Sequence, residues 1–131
     1  MIDIKATVKG ESDTAPFTRI FLYADKSDEQ VFYNKVEMIK EKLVKNLRIN
    51  INESLVIYCA YVVSELRARK TISIIERNAQ KILHPCKVMI GVPESLRKIT
   101  FEAKIDKLPK RRITLKEPIT TTNYILVAAK N

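Results

Sequence analysis

The sequence predicts an α+β domain: a three-helix core with a C-terminal antiparallel β-hairpin, plus added strands at the N-terminus. Three observations carry the class. Residues 2–9 alternate strictly, with Ile2, Ile4, Ala6 and Val8 set against Asp3, Lys5, Thr7 and Lys9, the period of a strand with one buried face. The middle of the chain switches to apolar spacings of three and four, the period of helices. Residues 98–106 and 111–116 then alternate again around a turn that contains Pro109, as two antiparallel strands do.

Taken in order, residues 10–16 interrupt the first strand with turn formers, and FTRIFLY at 17–23 restores strand character. These two strands form a hairpin or part of a larger sheet. Residues 25–28 supply capping chemistry, after which Phe32, Val36, Ile39, Leu43 and Leu47 mark the inward stripe of a first helix. Asn46 near its end tolerates the left-handed conformation of a helix stop. The second helix, NESLVIYCAYVVSELR at 52–67, is the spine of the prediction. Its run from Leu55 to Val63 has no charged or strongly polar residue and has to be covered on every side. It is too short for a bilayer, which needs about 20 apolar residues. Asn52 is the expected N-cap, with Glu53 in the first turn and Arg67 near the far end. Thr71 caps a third helix whose inward residues are Ile72, Ile75, Ala79, Ile82 and Leu83, and Pro85 ends it by about His84. Gly91 and Pro93 make residues 86–94 a structured turn. Residues 120–129 suggest one more strand, paired with those at the N-terminus.

At 131 residues, 46% hydrophobic and 30% charged, the chain is expected to be one domain with a core of its own. No apolar leader-like stretch follows Met1 and no second long apolar run exists, so a cytoplasmic protein away from membranes is the expectation. The net charge of +9 is uneven. Residues 1–60 hold nine basic and nine acidic side chains, residues 61–131 fifteen and six, and residues 97–116 alone eight and two. A positive face is expected there, with Arg97, Lys98, Lys107, Lys110, Arg111 and Arg112 as its candidates.

Enzymatic chemistry finds little support. Two glycines in total leave no phosphate-cradling loop. The single histidine, His84, is expected to end a helix rather than serve a metal or a proton transfer, since no second imidazole exists. Cys59 lies in the apolar run, where burial raises a thiol's pKa, and Cys86 stands only two residues from His84, poor spacing for a nucleophile and its base. Catalytic and metal-binding residues are therefore expected to be absent.

The stretch from Ser27 to Ile119 resembles the gamma subunit of urease. The residues that carry the likeness are Asn50 with Glu53 and Ser54, Lys70-Thr71, Val88-Met89, Gly91-Val92-Pro93-Glu94, Glu102-Ala103, Thr114 and Pro118-Ile119, in the family's order and at its spacing. GVPE after VM is the most specific of them. The likeness divides the chain into an N-terminal β extension (1–26), a gamma-like core (27–119) and a C-terminal extension (120–131). Three departures stand out. Ala68-Arg69 replaces the family's Asp-Gly before Lys-Thr, which suggests that the second helix runs further here. Ile90 replaces a glutamate, and Asn46 a glycine.

The resemblance implies a helical bundle with a small hairpin, acting as a structural or assembly subunit. It places nickel and urea hydrolysis in a partner chain, with no cofactor in this one. It also implies contact with urease-type alpha and beta chains, or self-association in a stand-alone relative. Lys70, Thr71, Val88, Met89, Gly91, Val92, Pro93 and Glu94 are the family-motif residues expected at such contacts. The alternative is a nucleic-acid binder of winged-helix type, with the basic hairpin along phosphates. It is less favoured because the hairpin tip has no aromatic residue for stacking.

Overall fold

The computed structural model describes residues 1–11 and 14–120. Two strands, β1 (Ile2–Lys9) and β2 (Phe17–Tyr23), precede helices α1 (Lys26–Val44), α2 (Ile51–Arg67) and α3 (Ile72–Asn78). Two 3-10 turns follow, Ala79–Lys81 and Pro85–Lys87, then the single-turn helix α4 (Val92–Ser95) and strands β3 (Lys98–Ile105) and β4 (Arg111–Lys116). The α+β class and the helical middle are as the sequence indicates. The strand expected at 120–129 lies outside the described residues.

The two pairs of strands form one antiparallel sheet in the order β2-β1-β3-β4. The N-terminal strands are therefore no separate hairpin. β1 is central, paired with β3 along its whole length and with β2 from Ile2 to Val8. Ile2, Ile4, Ala6 and Val8 of β1, Phe21 of β2, Ile99, Phe101, Ala103 and Ile105 of β3, and Ile113 and Leu115 of β4 all lie at 1% exposure or less. They line the one face that the helices cover, which is what alternation demands of an antiparallel sheet with its other face in water.

Helix α2 packs against that face and against α1, which itself reaches the sheet through Phe32 on Phe21 and Tyr23 of β2. Within residues 55–63 only Ala60 and Tyr61 are half-buried, and the other seven are buried. Its N-cap is Asn50 rather than the expected Asn52. The Asn50 side chain accepts from the Glu53 backbone N–H at 2.8 Å, and the Glu53 carboxylate accepts from the Asn50 N–H at 3.1 Å, a closed capping box. Asn52 is the second residue of the helix, exposed. Helix α1 is capped by Asp25, whose side chain accepts from the Asp28 N–H at 2.9 Å. It buries Phe32, Val36 and Ile39. Leu47, expected on the same stripe, is 53% exposed because the helix has already stopped at Val44. Asn46 takes φ 59°, the left-handed stop expected of it.

The second helix does not run past Arg67. Ala68 is its C-cap, and Arg69 adopts φ 58°. The Lys70 N–H then bonds back to the Glu65 carbonyl at 3.1 Å. The stop that a glycine would make without strain is made here by an arginine, since the helix must end for Thr71 to cap α3. The third helix is also shorter than expected: α-helical geometry ends at Asn78 and tightens into a 3-10 turn.

Where α2 ends, charged groups from four elements meet. Arg67 Nη2 bonds Glu29 at 2.6 Å, Nε bonds Asp106 at 3.1 Å, and Nη1 donates to the Tyr33 hydroxyl at 2.9 Å. The Met1 ammonium bonds Asp106 at 2.8 Å and Glu29 at 3.3 Å. Glu29 is buried, which pushes its pKa up, yet Arg67 and the ammonium more than offset this and leave it lowered. Hydrogen bonds from Arg67 and then from the ammonium hold Asp106 down at about 2. Groups more acidic when folded add stability above their unfolded pKa and lose it as pH falls through the folded value. Wild-type stability should therefore drop between pH about 4 and about 2, whereas Asp106→Asn should flatten that part of the profile, read as urea midpoints across a pH series. Arg69→Gly should relieve the left-handed strain and stabilise the fold by about 0.5 to 1 kcal/mol, net of glycine's extra unfolded-state freedom, a rise of a few degrees in Tm.

Candidate functional site

The family-motif residues 88–94 and the tip of the basic hairpin fall at the two ends of α2, whose 17 residues separate them by about 25 Å, while the motif residues Lys70 and Thr71 lie at the hairpin end. Val88 makes a parallel bridge with Ile49 at the N-terminal end, where the Met89 N–H donates to the Ile49 carbonyl at 2.9 Å. The turn between β3 and β4 lies at the C-terminal end, tied to Arg67 through Asp106.

At the first end, Val88, Val92 and Pro93 are buried and hold the turn to the core. Gly91 takes φ 92°, a conformation open to glycine, and so permits the step from the bridge into α4. Ser95 Oγ donates back to the Gly91 carbonyl at 2.8 Å. This leaves Met89, 47% exposed, and Ile90, 94% exposed, as the apolar tip of the turn. The N-terminal segment closes over the far side. Glu11 N–H donates to the Glu94 carbonyl at 3.1 Å, and a Cβ on Gly10 would stand only 3.1 Å from that oxygen. The Glu11 carboxylate pairs with Arg97 at 2.8 Å.

At the other end a groove of about 270 Å³ is lined by Leu66, Arg69, Lys70, Leu108, Pro109 and Arg111, with Ala103 and Ile105 at its floor. It brings Lys70 and Arg111 together, two residues the sequence gives no reason to associate. Thr71 is occupied in capping α3, its hydroxyl accepting from the Ile74 N–H at 3.4 Å. Lys107 and Lys110 are exposed at the tip, and Arg112 points to the outer sheet face opposite Glu102.

The expected positive face is thus two separate regions. Lys98 starts β3 and pairs in register with Lys116, while the tip residues lie a strand length away, about 23 Å. Nor does the hairpin stand out as a wing. Its strands are half of the four-stranded sheet, and Glu76 of α3 accepts the outward Thr114 N–H of β4 at 2.8 Å. That contact satisfies one backbone donor of the edge strand β4 and engages a helix of only seven residues.

The chemistry-bearing side chains stay apart. Cys59 is fully buried, and burial pushes its thiol well up. His84 caps the turn Pro85–Lys87, beyond the end of α3. Its Nδ1 accepts the Cys86 backbone N–H at 3.1 Å and lies 3.0 Å from Cys86 Sγ, so the two side chains do meet despite their short separation in sequence. Among the described residues no group of three or more His, Cys, Asp or Glu is placed to hold a metal ion, and no helix is long and apolar enough to cross a membrane. The Arg67 cluster was not foreseeable from spacing, because Tyr33, Glu29 and Asp106 are 34, 38 and 39 residues from Arg67 in sequence.

The profile of the family described as "Urease, gamma subunit" matches residues 21–119. The "Urease subunit gamma" of Halalkalibacterium halodurans is 32% identical over 83 residues, 63% of this chain and 82% of that relative. The match takes in α1 to β4, with both ends of α2 and the 88–94 turn, and it leaves β1 outside. The chain belongs to the urease gamma-subunit family.

Proposed function

We propose that this chain is a non-catalytic assembly subunit that docks onto protein partners through the exposed tip of the 88–94 turn. The observation that carries this is the family match across the whole helical core and hairpin. Partners of urease alpha and beta type fit it best, with nickel and urea hydrolysis in the partner. The donor set agrees with that division of labour, because a dinuclear nickel centre needs several imidazoles and the chain has one histidine.

Ile90 and Met89 are the anchors. Val88, Val92 and Pro93 fix the backbone beneath them, so the tip is presented without much further ordering. The basic hairpin and the groove beside Lys70 form a second contact region, too far from the tip to belong to the same small interface. The departure at Ile90 makes this contact apolar where the family has a carboxylate.

Affinity capture of the tagged chain from its native extract, followed by light scattering and metal analysis, should yield an assembly above monomer mass that contains nickel and a histidine-rich chain. A lone monomer without nickel would overturn the proposal. Ile90→Asp with Met89→Asp should abolish capture and leave Tm within a few degrees, since both side chains are exposed. Lys110→Glu, Arg111→Glu and Arg112→Glu together should likewise keep the fold, read by the same melt.

A further inference from the structure

The outer face of the sheet carries its residues in rows set by the register. One row runs Thr18, Thr7, Thr100, Thr114 across all four strands. A second places Lys5 opposite Glu102 and Glu102 opposite Arg112, and a third places Asp3 opposite Lys104. Both of these alternate in sign, as directly opposed side chains on a sheet should. The remaining row breaks the rule: Lys9 faces Lys98 and Lys98 faces Lys116. All three are exposed, and none enters a salt bridge among the described residues.

This row opens onto a groove where α3 meets β4, lined by Glu76, Arg77, Gln80, Lys98, Thr114 and Lys116. Arg77 is exposed and forms no salt bridge among the described residues. Glu76, the acid in the lining, is turned to the Thr114 backbone N–H. Three like charges side by side repel one another and cost stability. Here they stand beside a guanidinium, an amide and a threonine hydroxyl, the donors that bind phosphate oxygens. From Lys9 to Lys116 the row spans two strand spacings, about 10 Å, longer than one tetrahedral anion. We propose that this groove and lysine row bind a small oligophosphate, a ligand with at least two linked phosphate groups.

The site does not depend on assembly and is tested on the isolated full chain. Inorganic tripolyphosphate, titrated by calorimetry at low salt, should bind at least about tenfold more tightly than orthophosphate, because it meets more of the cations. Lys98→Glu/Lys116→Glu should lower tripolyphosphate affinity at least about tenfold, whereas Lys110→Glu/Arg111→Glu at the distant tip should not change it. Lys98→Glu alone sets opposite charges across both strand pairs and should raise Tm while weakening binding. No binding by the wild type, equal affinity for both anions, undiminished binding by the double variant, or loss through the tip variant would each overturn the assignment. So would a fall in Tm for Lys98→Glu, because the row would then not be under repulsion.

Discussion

The side chains from Leu55 to Val63 offer water nothing to bond, so the helix that carries them is stable only when other elements enclose it. That requirement organises the molecule. The inner face of the sheet supplies one wall, α1 another, and α3 with the 3-10 turn after it a third, through Ile75 and Ala79. The Tyr61 hydroxyl, at the margin of the buried run, donates to the Ile75 carbonyl at 2.6 Å and so joins α2 to α3 by a polar bond at the point where enclosure is incomplete.

A helix buried this fully has to be terminated with care, because unpaired backbone groups at its ends would be poorly hydrated. The two ends are solved differently. At the N-terminus Asn50 and Glu53 satisfy each other's N–H groups, and the Lys42 ammonium at 2.6 Å from Glu53 ties the box to α1. At the C-terminus a left-handed arginine turns the chain, and the preceding Arg67 gathers Glu29 and Tyr33 from α1 and Asp106 from the turn after β3. Each end thus doubles as a tie between elements remote in sequence. The turn at 88–94 is fixed to the first and the hairpin to the second, so both exposed regions ride on a rigid spine.

Much of this was legible in the residues themselves. Strict alternation placed β1 and both hairpin strands, and spacing placed the helices, because each signal is local and repeats several times. What escaped was decided by single positions or by tertiary pairing. Asn50 and Asn52 are equally good caps by type, and only Glu53, three residues after Asn50 but one after Asn52, favours the former through the capping box. Arg69 has no sequence signature for φ 58°, since the need to stop comes from the packing of α3 and not from the residue. The central place of β1 could not be read from its alternation, which is the same for a central and an edge strand. The division of the basic residues into two regions is also a consequence of register: eight cations within twenty positions look like one patch until a hairpin carries them to opposite ends.

The position of β1 bears on how the family core is used here. A two-stranded hairpin alone is marginal in water and leaves the free edge of β3 open. β3 and β4 lie inside the region matched to the family, and β1, which covers that edge along eight paired residues, lies outside it. Residues 1–9 therefore occupy, within the same chain, the strand edge that the matched region by itself leaves open. The free edge passes to β2, where Ile20 and Leu22 are 65% and 63% exposed on the outer face. The inner face is filled by helices and the β3 edge by β1, and Glu76 takes one N–H of the β4 edge, so among the described residues the open edge of the sheet is chiefly that of β2.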